Sequence, residues 1–131
     1  MEPHRIAEEI VLIPRVFYAE TQESMCFRDL ILNTGYCGLS EDISVAMLES
    51  VLRDQPKSVE DWLTWSENKR SDSGWFLRRE LAGSFEVGYF PATEDRPSLH
   101  YAETEVFLAC ARFIKYEIDE ACGERLSTGS A

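Results

Sequence analysis

Between residues 74 and 121 the hydrophobic pattern changes period, and that change constrains the fold more than any other feature of the chain. In GWFLRRELAGSFEVGYFP, residues 74–91, Trp75, Leu77 and Leu81 alternate on one strand. After a turn at Ala82-Gly83, Phe85, Val87 and Tyr89 alternate again. A period of two puts one row of side chains on one face of a pleated strand. The spacing therefore predicts a hairpin, with Leu99–Tyr101 as a third strand after the PATEDRP turn. Over 103–121 the period becomes helical. Val106, Phe107, Cys110, Phe113, Ile114 and Ile118 fall on one stripe. A sheet with one face to bury and a helix with a stripe to bury belong together, so Phe107, Cys110 and Ile114 are expected against the sheet. Gly123 is the expected stop, with a frayed tail over about 124–131.

Upstream, the signals are mostly helical. Ile6, Ile10 and Ile13 space a helix over 4–12 that Pro14 should close. VFYA, 16–19, reads as a short strand. Thr21 can cap a helix through about 33, with Met25, Cys26, Leu30 and Ile31 inward, and NTGYCG, 33–38, reads as a loop. Ser40 is the expected cap of a helix over 41–54 whose inner stripe is Ile43, Met47, Leu48, Val51 and Leu52. Ser58 precedes another, with Val59, Trp62 and Leu63 inward, Glu60, Thr64 and Glu67 outward, and Trp65 on the boundary. The expected class is α+β: N-terminal helices, a three-stranded antiparallel sheet, and a C-terminal helix packed on it. At 131 residues one domain, 1–131, is expected.

Charge narrows the function. The chain carries net −11. Nucleic acids and anionic membranes select cationic surfaces, so neither is an expected partner. Eight acidic against four basic residues make 41–72 the most negative segment. No apolar run approaches the ~18 residues of a membrane span, and the N-terminal MEPHRIAEEIVLIPR lacks a signal-peptide pattern. The expected compartment is the cytoplasm. Cys26, Cys37, Cys110 and Cys122 are then expected as reduced thiols, with Cys26 and Cys37 the pair to watch.

Catalytic signatures are sparse. The cysteines and histidines form no close ligand pairs, so no metal or other cofactor is expected. There is no GxGxxG, P-loop or GxSxG. A nucleophilic cysteine folded beside His100 would need an environment that nothing in the pattern indicates. What remains is an acidic surface with an aromatic at its edge. Asp42, Glu49, Glu60, Asp61 and Glu67 project from the helices over 41–54 and 58–68, with Trp65 as an apolar anchor. An interface of about 1,600 Å² would need more than one element, so Glu94 and Asp95 are further candidates.

The run GWFLRREL…GSFEVGYFP…LHYAETEVFLACARFIKYEID resembles small acidic bacterial immunity proteins of polymorphic toxins, including contact-dependent growth inhibition systems. The likeness covers about 74–120 and is a pattern of three strands and a helix. It implies a cytoplasmic, non-enzymatic protein whose partner is the C-terminal domain of a cognate toxin, in many cases a basic nuclease, covered at its active site. Two other readings compete: a small adaptor or regulatory binding domain without a toxin, and a small hydrolase.

Overall fold

A computed structural model describes residues 2–19, 27–68, 74–80, 82–90 and 98–130. It is an α+β arrangement. Helices α1 (Glu2–Val11), α2 (Ile13–Ala19), α3 (Phe27–Thr34), α4 (Tyr36–Leu39), α5 (Val45–Asp54) and α6 (Lys57–Asn68) precede strands β1 (Gly74–Arg79), β2 (Phe85–Phe90) and β3 (Leu99–Tyr101). Helix α7 (Val106–Ser130) follows. The sheet is antiparallel in the order β1-β2-β3.

The strand pairing brings the two alternating rows to one face. Trp75 pairs with Tyr89, Leu77 with Val87 and Arg79 with Phe85, so one face carries all six. Leu77, Phe85 and Val87 are buried on that face. The hairpin closes over Glu80–Ser84, where the Glu80 N–H donates to the Ser84 carbonyl at 2.8 Å. Gly83 sits there at φ +91°, a conformation that a side chain disfavours.

Helix α7 packs against both long strands, and also against α5, α6 and α3. It is therefore buried on more than one side, which a single-stripe reading does not anticipate. Its sheet-facing edge is Tyr116 and Glu120. The Tyr116 ring stacks on Trp75 at 4.2 Å, and Glu120 accepts from Trp75 Nε1 at 2.8 Å. Phe113 meets Trp62 of α6 edge-on at 6.0 Å. Phe107, expected on the sheet, lines a cleft together with Arg79 of β1 and Phe85 of β2. Its ring lies half-buried beneath Arg53 of α5. Cys110 and Ile114 are fully buried.

Several boundaries differ from the sequence pattern. Pro14 does not end a helix; it is the second residue of α2, in a first turn where a missing N–H costs nothing. VFYA continues α2 as helix rather than strand. The expected loop over 33–38 contains the start of α4, with Tyr36 fully buried. Ser44, not Ser40, caps α5, accepting from the Met47 N–H at 3.1 Å. Residues 40–42 form a 3-10 turn instead. Gly123 does not stop α7, which runs on to Ser130, and Gly123 is not among the glycines with positive φ. The expectations for Thr21, Met25, Cys26, Leu81 and the PATEDRP turn lie outside the described residues.

Candidate functional site

A cleft of about 370 Å³ opens where the start of α6, the hairpin turn and the first turn of α7 converge. Val59, Phe85, Val106 and Phe107 give it an apolar floor. Glu60, Arg79 and Glu103 stand at its rim. Each wall follows from local sequence. Val59 is on the inner stripe of α6, Phe85 begins β2, and Gly83 lets the hairpin turn tightly enough to face Glu103. The Glu103 carboxylate lies 3.4 Å from where a Cβ on Gly83 would stand.

Both nearby arginines are folded down onto aromatic rings. Arg79 is held by Glu60 at 3.0 Å, and its guanidinium carbon sits 5.5 Å from the centre of the Phe85 ring. Arg53 is held by Glu49 at 2.8 Å and sits 5.0 Å from the centre of the Phe107 ring. Each cation thus has a carboxylate and a π face, a combination favourable at a partly desolvated surface. Glu103 is exposed and makes no ion pair among the described residues.

The candidate residues divide accordingly. Glu49 and Glu60 are engaged with Arg53 and Arg79, and Asp61 with Arg15 at 2.9 Å. Asp42 and Glu67 are exposed and make no ion pair among the described residues. Trp65 is half-buried between α6 and α7, its Nε1 donating to Glu117 at 3.1 Å. Only Glu60 lines the cleft. Glu94 and Asp95 lie outside the described residues.

A second polar assembly holds the turn over residues 40–42. Lys115 of α7 donates to Tyr36 Oη at 2.7 Å and to the carbonyls of Ser40 and Ile43 at 2.6 Å each. All three ammonium donors are therefore used. Tyr36 Oη in turn donates to Asp119 at 2.6 Å. Burial first, then the Asp119 hydrogen bond and charge, push the Tyr36 hydroxyl far above its ordinary pKa. These bonds bracket the 3-10 turn that carries Glu41 and Asp42. Sequence spacing gives no sign of them, because the partners are more than 70 residues apart in the chain.

Beside this bracket, Cys37 and Cys122 form a disulfide, with Cα atoms 5.6 Å apart. The expectation of reduced thiols is corrected here. Cys37 falls in the expected loop and Cys122 just beyond the expected helix over 103–121, whereas α4 packs its Cys37 onto the continued α7. Cys110 remains a free thiol; burial, then the Glu60 charge, push its pKa well up, which disfavours the thiolate. His100 stands on the exposed side of β3 with Nδ1 3.2 Å from Glu80. Hydrogen bonding from Ser84 chiefly, with a smaller contribution from His100, holds the Glu80 carboxyl below its ordinary pKa. Among the described residues no group of three or more His, Cys, Asp or Glu could hold a metal ion. Nor is any described helix long and apolar enough to cross a membrane.

No family model, no curated protein and no solved structure matches this chain.

Proposed function

We propose that this chain is a non-enzymatic binding protein of the immunity type. It neutralises a basic toxin domain, foremost a nuclease, by covering its active site. The observation that carries the reading is an imbalance of uncommitted surface charge. Asp29, Glu41, Asp42, Asp54, Glu67 and Glu103 are exposed without an ion pair among the described residues. Acids already joined to arginines offer a cationic partner little, because the bridge must break first. Free ones attract it at long range and accept its side chains on contact. The immunity-like order of strands and final helix over 74–120 agrees with this reading and adds the class of partner.

The compartment in this reading is the cytoplasm, where thiol reductants would act on the Cys37–Cys122 bond. The test is co-expression with the toxin domain sought in the adjacent open reading frame, capture on a tag, and assay of that domain with and without this protein. A stable complex with the domain's activity suppressed is expected. A domain that stays fully active beside saturating amounts of this protein would overturn the reading.

A further inference from the structure

We infer that the cleft between α6, the hairpin turn and the start of α7 is a docking site for an apolar side chain that adjoins an arginine or lysine on a partner protein. The inference rests on the proposed basic partner and specifies where and by what chemistry it is gripped.

The floor supplies the apolar half. Phe85 and Val59 are buried beneath it, while Phe107 and Val106 remain half-buried, so their remaining surface is available to an incoming group. Covering such surface is favourable at roughly 25 cal/mol per Å². The volume, about 370 Å³, is near the small end of the usual ~300–1,000 Å³ range for binding pockets. It suits one large side chain rather than a length of helix.

The rim supplies the charge half, and it has a sign. Arg53 and Arg79 each already have a carboxylate and a ring. An acidic ligand would have to draw one of them away from both. Glu103 has no such commitment, and its carboxylate lies over Gly83. The Glu60 side chain is 67% exposed, so its carboxylate can receive a second cation while keeping Arg79. A cation entering beside an apolar group therefore meets two carboxylates without breaking a bond. Sequence reasoning located Glu60 but not this arrangement, since the cleft is assembled from three separate elements.

The test uses the full chain with valine methyl labelling and follows the Val59 and Val106 signals by NMR. Three capped peptides are titrated: Gly-Phe-Arg-Gly, Gly-Phe-Glu-Gly and Gly-Gly-Arg-Gly. The Phe-Arg peptide should shift both valines and bind about threefold or more tightly than either of the others. Glu103→Lys should abolish the preference for Arg over Glu, whereas Asp42→Lys, outside the cleft, should not. Absence of shifts at Val59 and Val106, equal binding of the Phe-Glu peptide, or an unchanged preference in folded Glu103→Lys protein would each overturn the inference. Because the probes are peptides, such a failure would fall on the cleft alone and leave the complex with a basic domain to its own test.

Discussion

Phe113 and Phe107 occupy the same helix and the same hydrophobic stripe, yet their surroundings differ. Phe113 is fully buried against Trp62, whose Nε1 donates to the Val11 carbonyl at 2.9 Å. Phe113→Ala should cost about 3–5 kcal/mol in chemical denaturation, because the cavity cannot collapse without moving Trp62. Phe107→Ala should cost clearly less, since half-burial leaves less to lose. Equal costs would mean that the cleft is closed in solution. Tyr36 supports a prediction about pH. Its hydroxyl pKa is raised in the fold, so the unfolded chain releases that proton first as pH rises through about 10. Its contribution is thus fully present below that pH and is lost above it. Denaturation midpoints from pH 8 to 11 should fall more steeply for the natural chain than for Tyr36→Phe. Parallel slopes would show that Tyr36 is not buried against Asp119.

At the scale of elements, long periodic segments were legible and short or multiply buried ones were not. The hairpin strands and the inner stripe of α6 followed from alternation and 3.6-residue spacing, since each rests on neighbours close in sequence. Helix α4 has four residues and no period to read; it is held by Lys115, Asp119 and Cys122 from α7. The site was legible only in part for a related reason. Spacing identified outward acids, but could not say which had an arginine from another element across from them. The α4 bracket yields its own prediction. Breaking the disulfide by Cys37→Ser should lower stability by about 2–4 kcal/mol, mainly by freeing the unfolded chain. It should leave α4 docked, because the Lys115 and Tyr36 bonds remain. Amide exchange over 36–43 decides this. Protection should persist in Cys37→Ser protein and be lost in Lys115→Met; the reverse order would assign the docking to the disulfide.

Over the whole molecule, charge is divided between structure and surface. Part of the acidity is consumed internally: Glu120 accepts from Trp75 and Tyr89, Asp119 accepts from Tyr36, and Glu86 pairs with Arg78 at 2.6 Å. The remainder is exposed on the outside. The most direct measurement of the central claim is the association rate with the proposed basic toxin domain, at low and high salt. The account predicts fast association at low salt that falls about tenfold or more as the ionic strength rises. Asp42→Lys with Glu67→Lys should slow the low-salt rate and flatten the salt dependence, with circular dichroism unchanged. An association rate indifferent to salt, or untouched by those two substitutions in folded protein, would contradict it.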